Sequence, residues 1–283
     1  MSIKHGIICP VNYLEKFAVL SDFHLILPHL YDKYPAYKEF YRSRVKQGDF
    51  VLQDNSVFEL EESLPGEALM EMAEDLGVSE MSAPEVLRDA KSSKKVLEEF
   101  LSRRVSLGSK TPVLAVAQGA SIDELISYVY YLNSLAEVST IGIPFDLEHL
   151  NSGDFTLSLK SLTLRRVLSR WILMERIHVE AGWVAKKLKP IHLMGLADAV
   201  ELQYYAGFVH RLEPGQVPPL QVRSNDSSSA FVHGAANILY TERGLPCEKI
   251  SQKLDFGLPS GTLSEAAERS VYDNIKMIQS FCE

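Results

Sequence analysis

The sequence predicts a (β/α)8 TIM barrel with small peripheral decorations and no zinc subdomain. Three observations predict it. Short apolar runs bounded by turn residues recur eight times along 283 residues. Longer amphipathic stretches fill most of the gaps between them. The runs show little period-two alternation, as expected of parallel strands covered on both faces. Strand–helix alternation over this length fits one barrel domain spanning 1–283. An open doubly wound sheet is the competing architecture. The chain has no G-x-G-x-x-G after an early strand, which weakens the dinucleotide-binding form of that alternative.

The expected strands are His5–Cys9, Phe23–Leu27, Phe50–Gln53, Ser79–Ala83, Val113–Ala117, Thr140–Ile143, Ile191–Leu196 and Leu220–Arg223. Helical periodicity covers Glu67–Leu76, Ser93–Arg104 and Ser121–Leu135, the last opening on a capping box of Ser121 and Glu124. A long helical stretch runs over Thr156–Lys187, as one helix or two. Ala197–Ala206 and Ser228–Thr241 follow, and Thr262–Phe281 closes the chain with Thr262 and Glu265 as a second capping box. Glu213–Pro219 reads as a loop, and 238–260 as a peripheral insertion.

Composition narrows the function. Hydrophobic residues make up 46% and charged residues 23%, ordinary for a globular enzyme and wrong for a disordered chain. The net charge of −8 excludes a polycationic nucleic-acid coat but leaves room for a local patch. Cys9, Cys247 and Cys282 stand far apart, so neither a zinc cluster nor a disulfide framework is expected. An odd, sparse count suits a reducing cytoplasm. No signal peptide is expected, and the most apolar windows are too short for a membrane span. No P-loop, G-x-S-x-G or H-E-x-x-H is present.

Barrel enzymes place their chemistry at the C-terminal ends of the strands. Here Asp54 follows the third run, Glu85 the fourth and Gln118 the fifth. The sixth contains Gly142 and Ile143, the seventh carries Met194 and Gly195, and Asp226 follows the eighth. Two carboxylates from opposite parts of a barrel can act as a pair, one attacking an anomeric carbon and the other moving protons. A third carboxylate can accept the N1–H and the exocyclic amine of guanine, while an amide and a backbone N–H bind its O6. An aromatic ring and a methionine would cover the faces of the base.

With these residues in place, the chain resembles the tRNA-guanine transglycosylase superfamily. Five motifs carry the resemblance in family order: Asp54-Asn-Ser-Val-Phe58, Ala117-Gln118-Gly119, Ile141-Gly142-Ile143, His192-Leu193-Met194-Gly195 and Arg223-Ser-Asn-Asp226. The resemblance implies a barrel enzyme that swaps guanine for a 7-deazaguanine such as preQ0 through a covalent aspartyl–sugar intermediate, with no further cofactor. It implies Asp226 as nucleophile and Asp54 as general acid/base. It puts Gln118 and the Ile143 backbone on O6, Gly142 beside them among the base-binding residues, Phe58 and Met194 against the base, and Glu85 where the family reads the N1 and amino edge with an aspartate. Two departures matter. The zinc-binding cysteines of the tRNA enzymes are missing, and Ser56-Val57 replaces the glycine pair of the first motif. The chain is therefore most like the zinc-free phage and bacterial branch that acts on DNA, with tRNA as the runner-up substrate.

Each residue also has a plain structural reading. Asp54 can be a turn former, Glu85 part of a capping box, Gln118 a loop amide and Asp226 a helix N-cap. Met194 and Phe58 can be core. His192 reads as a satisfied core residue or one that supports a site residue from behind. Between residues 165 and 189, Arg165, Arg166, Arg170, Arg176, Lys186, Lys187 and Lys189 face only Glu175 and Glu180. A backbone-tracking patch for DNA and a solvated helix face fit that run equally. Lys91, Lys94, Lys95, Arg103 and Arg104 form a second such group. Competing functions are a retaining nucleoside or glycoside hydrolase on the same barrel and a non-catalytic DNA-binding subunit. Barrel enzymes of this type often form homodimers, but no heptad or clear apolar patch specifies one.

Overall fold

The computed structural model describes residues 2–150, 158–183, 187–210, 220–250, 256–257 and 261–283. The strands are β1 (Lys4–Ile7), β2 (Phe23–Ile26), β3 (Phe50–Gln53), β4 (Glu80–Ser82), β5 (Val113–Val116), β6 (Val138–Pro144), β7 (Ile191–Met194) and β8 (Val222–Ser227). They join one eight-stranded sheet in the order β1-β8-β7-β6-β5-β4-β3-β2. Neighbours such as β2 and β3, β4 and β5, and β7 and β8 pair in parallel. With helices between the strands, this is the (β/α)8 barrel class that the sequence predicts. The chain packs as two compact units, one built on Gly6–Gly142 and the other on Ile143–Gln252 with Gly261–Glu283.

In the first unit the apolar runs are buried as their composition requires. All four residues of β2 are buried, and Val51, Leu52, Met81, Val113 and Leu114 have essentially no exposure. The helix Gly66–Leu76 buries Leu69, Met70, Ala73 and Leu76, a 3–4 spacing that gives one apolar stripe. The helix Ala90–Leu107 starts earlier than its periodicity suggested. Asp89 caps it by accepting from the Ser92 N–H at 2.9 Å. The helix Ile122–Ser134 begins as predicted, with the Ser121 hydroxyl accepting from the Glu124 N–H. The Glu124 carboxylate reaches back to the Ala120 N–H at 2.9 Å, one residue before the cap. The helix Pro35–Gln47 has no counterpart in the sequence reading. Its buried face is Tyr37, Phe40 and Tyr41, and two of those three aromatics carry hydroxyls that mask the apolar period.

In the second unit Ile191 and Leu193 of β7 are fully buried. A single helix, Leu162–Trp183, occupies most of the expected stretch, whose ends at 156–157 and 184–186 lie outside the described residues. The next helix runs Glu201–His210, four residues later than expected. Strand β8 also starts and ends later than its apolar run, because polar Ser224, Asn225 and Asp226 continue the ladder. The helix that follows is only Ser229–Ala235, so the predicted Ser228–Thr241 was too long. The last helix, Glu265–Phe281, is capped by the Ser264 hydroxyl on the Ala267 N–H, not by Thr262. His233 closes the segment after Ser229–Ala235: its Nδ1–H donates to the Ser229 carbonyl at 2.8 Å and its Nε2 accepts from the Ile250 N–H at 3.1 Å. Among the described residues no helix is long and apolar enough to cross a membrane.

Three buried histidines make stability depend on pH. Burial pulls the His5 pKa down to about 4, against Asp226 and an Asn225 hydrogen bond. Burial also lowers His24 and His233. Each ring is neutral in the folded chain, whereas in the unfolded chain it takes up a proton near pH ~6.5. Stability is therefore full above about pH 6.5 and falls as pH drops toward about 4, by at most ~1.4 kcal/mol per pH unit per histidine. Thermal unfolding between about pH 7 and about pH 5 checks this. Tm falls on acidification, and an unchanged Tm contradicts the account.

Candidate active site

Strand geometry sets the first cluster. Side chains two apart on a strand share a face. On β7 that pairs His192 with Met194, and on β8 it pairs Ser224 with Asp226. The register puts His192 opposite Ser224. His192 is fully buried, and its Nε2 lies 3.0 Å from Asp226 Oδ1 while its Nδ1 lies 2.9 Å from Ser224 Oγ. Arg223 Nε donates to Ser224 Oγ at 3.2 Å. The network assigns one tautomer. The Ser224 hydroxyl donates to Nδ1, and Nε2–H donates to the carboxylate. A second donor reaches the same oxygen, the Gly195 N–H at 3.1 Å. Among the described residues, every hydrogen bond to the Asp226 carboxylate ends on Oδ1, which leaves the lone pairs of Oδ2 for a ligand. Asp226 is 5% exposed and lies within β8, so its carboxylate is not a helix N-cap.

Gly195 earns its place twice. Its φ is +63°, the left-handed region that glycine occupies without penalty, and a Cβ there would stand 2.7 Å from the Phe145 ring. Its carbonyl accepts from Arg170 Nη1 at 3.0 Å, as do those of Met194 at 3.3 Å and Ile143 at 3.5 Å. The other edge of the guanidinium forms a bidentate pair with Glu201. Burial opposes the Arg170 charge, but Glu201 beside it more than restores it, so its pKa lies above the ordinary arginine value. On the far side of β8, Asn225 donates to His5 Nδ1 at 2.9 Å.

The second cluster follows β3, β4 and β5. Asp54 is buried, and its Oδ2 accepts from the Ser56 N–H at 3.1 Å, the turn-forming role foreseen as its plain reading. Ser56 is held at φ +61° by His29, whose N–H reaches Ser56 Oγ at 3.3 Å and whose Nδ1 lies 2.8 Å from it. Asn55 is fully buried and donates to Glu85 Oε1 at 3.1 Å and to the Ala83 carbonyl at 2.8 Å. Gln118 Nε2 donates to Glu85 Oε2 at 2.7 Å, and its Oε1 accepts from the Arg88 N–H at 2.7 Å. Glu85 lies outside any helix, so the capping-box reading fails. Its carboxylate is gripped by one amide donor on each oxygen.

The remaining predicted residues divide. Met194 is half-buried at the end of β7. Phe58 is 50% exposed on a short helical turn, Val57–Leu60. Gly142 and Ile143 both belong to β6, where the expected strand Thr140–Ile143 put them. The Gly142 carbonyl accepts from the Ala117 N–H, and a Cβ on Gly142 would lie 2.8 Å from Val116. Arg170 does not belong to a phosphate patch, because it is 1% exposed and its donors are spent on Glu201 and three carbonyls. Arg166 is paired with Glu148 through Nε and Nη2, both at 2.9 Å, and Arg176 pairs with Glu180. Arg165 is half-buried and Lys187 exposed, while Lys186 lies outside the described residues. In the second basic group, Lys94, Lys95 and Arg103 pair with Glu98, Glu99 and Glu67. Sequence reasoning missed Asn55, His29 and the work of Arg170, while His192 takes the buried supporting place beside Asp226 that its strand position allowed. Asn55 sits inside a quoted motif and His29 just after β2, outside all of them, whereas nothing local marks Arg170 as the partner of Glu201.

Removing one member of a buried pair strands the other. Arg170→Met lowers unfolding free energy by about 3–5 kcal/mol in urea denaturation. The double change Arg170→Met/Glu201→Leu costs less than the single one. Equal losses contradict the role given to the pair.

Among the described residues no group of three or more His, Cys, Asp or Glu side chains is arranged to hold a metal ion. Comparison with protein-family models and with curated proteins finds no match to the chain.

Proposed function

We propose that the protein is a pentosyltransferase that exchanges guanine in DNA for a 7-deazaguanine base. The observation that carries this reading is the Asp226 carboxylate. Two donors hold one oxygen, and the other is left to react. A carboxylate fixed in this way is suited to attack an anomeric carbon, because orientation is set before the substrate arrives.

In the first half-reaction Asp226 Oδ2 forms a bond to C1′ as the C1′–N9 bond breaks. The departing base keeps the electron pair at N9 and takes up the proton that Asp54 gives as general acid. In the second half-reaction N9 of the incoming 7-deazaguanine attacks C1′, its proton passes to Asp54, and the ester bond to Asp226 breaks. Two inversions give net retention. The His192 and Gly195 donors stabilise the carboxylate each time it is released. Glu85, held as an acceptor between Asn55 and Gln118, supports recognition of a base that offers N1–H and an amine. DNA is favoured over tRNA because the cysteines of the tRNA enzymes' zinc site are missing. A target in duplex DNA would have to leave the stack to expose C1′.

The test is incorporation of radiolabelled guanine into double-stranded DNA, single-stranded DNA and unmodified tRNA. Label enters DNA with wild-type protein, and Asp226→Asn abolishes it. Glu85→Gln weakens guanine binding about tenfold or more, the effect of losing a charge-assisted hydrogen bond. Label entering only tRNA overturns the choice of nucleic acid. Release of free base without incorporation favours a hydrolase, and substantial turnover by Asp226→Asn overturns the nucleophile.

A further inference from the structure

The segment after the helix Ser229–Ala235 delivers a lysine to the loops that follow β6 and β7. Its backbone is fixed on both sides. Glu248 Oε2 accepts from the Thr163 N–H at 3.2 Å and its hydroxyl at 2.9 Å, at the start of the helix Leu162–Trp183. The Lys249 N–H donates to Thr163 Oγ1 at 3.0 Å, and the Ile250 N–H to His233 Nε2. Between these anchors the Lys249 ammonium donates to the Leu196 carbonyl and lies 4.4 Å from the centroid of the Phe145 ring. The Arg166 guanidinium lies 5.2 Å from the same centroid.

The charges around this point are unequally satisfied. Arg170 has Glu201, Arg166 has Glu148, and Glu248 is engaged at the helix start. Among the described residues, Lys249 has no carboxylate within ion-pair distance. Two of its three N–H donors and Arg166 Nη1 have no protein partner there, and neither has the buried Nε of Arg165. Burial draws the Lys249 pKa down to about 8, with Arg166 and Arg170 adding to the fall and Glu201 and Asp226 opposing it. A half-buried ammonium beside two guanidinium groups, with no counter-ion among the described residues, is stabilised by an incoming anion. A point charge beside the free edge of an arginine suits the tetrahedral oxygens of phosphate.

We propose that Lys249 and Arg166, seated on the Phe145 ring, bind a phosphate group. The phosphate comes either from a polynucleotide backbone or from a free nucleotide. Gly195 is part of the device, since only a residue without a Cβ lets Phe145 lie where both cations meet it. The inference goes beyond base exchange and does not depend on it, because it requires an anion and not a reaction.

Binding of a short single-stranded oligodeoxynucleotide, guanosine monophosphate, inorganic phosphate and, as the uncharged control, guanosine is measured for wild type and Lys249→Met. The substitution keeps the length of the stem and removes the charge. It weakens the phosphate-bearing probes about tenfold, the loss of one charge-assisted contact, and leaves guanosine unchanged. For the oligonucleotide it also lowers the slope of log affinity against log salt by about 0.7. A loss confined to the oligonucleotide identifies a backbone phosphate, and a loss that includes the small probes identifies a nucleotide site. Equal affinities in the two proteins, or no binding of any phosphate probe by wild type, overturn the proposal. A second measurement needs no variant. Acylation of Lys249 in wild-type protein, followed by mass spectrometry, slows with the phosphate probes while that of exposed Lys95 does not. Unchanged reactivity overturns the proposal, and equal protection by acetate overturns the assignment to phosphate.

Discussion

One buried ion pair organises the ends of β6 and β7. Arg170 is committed on one edge to Glu201 and on the other to the carbonyls of Ile143, Met194 and Gly195. A guanidinium with five donors in a fixed plane is the side chain that can satisfy a carboxylate and a set of strand-end carbonyls together. Those carbonyls belong to residues whose other groups matter. The Gly195 N–H holds Asp226, and Met194 shares its face with His192. The position of the carboxylate thus rests on a pair buried behind it, at a desolvation cost that only complete pairing offsets.

The same rule governs the residues after β3, β4 and β5. Asn55, Glu85 and Gln118 form a network in which each carboxylate oxygen meets an amide donor and each amide oxygen meets a backbone N–H. A network so satisfied is rigid, because rotating one member orphans another in a low-dielectric setting. Rigidity keeps Glu85 an acceptor with a fixed direction. Asp54 is held by the turn that Ser56 and His29 make, so its carboxylate is placed by backbone conformation as much as by hydrogen bonds.

The barrel was legible because its signal is long-ranged and repetitive. Seven of the eight apolar runs match a strand to within two residues at either end, and the eighth overlaps the start of β8. What failed was local and physical. The helix Pro35–Gln47 buries tyrosines, whose hydroxyls blur the contrast between faces. Strand β8 continues through Ser224-Asn225-Asp226 because His192, Gly195 and His5 supply partners that no hydropathy pattern records. Glu85 and Gln118 were singled out separately and meet at 2.7 Å. Arg170 was misplaced on the surface, since a buried arginine and a solvated one look alike until Glu201, distant in sequence, is brought beside it. Lys249 went unnoticed for the same reason.

The central claim is that Asp226 bonds to the sugar. Mass spectrometry of wild-type protein, denatured with acid during turnover on a guanine-containing oligonucleotide, tests it most directly. The account predicts a mass increase of one abasic oligonucleotide on the peptide that carries Asp226. Turnover with no adduct, or an adduct on another residue, would contradict it.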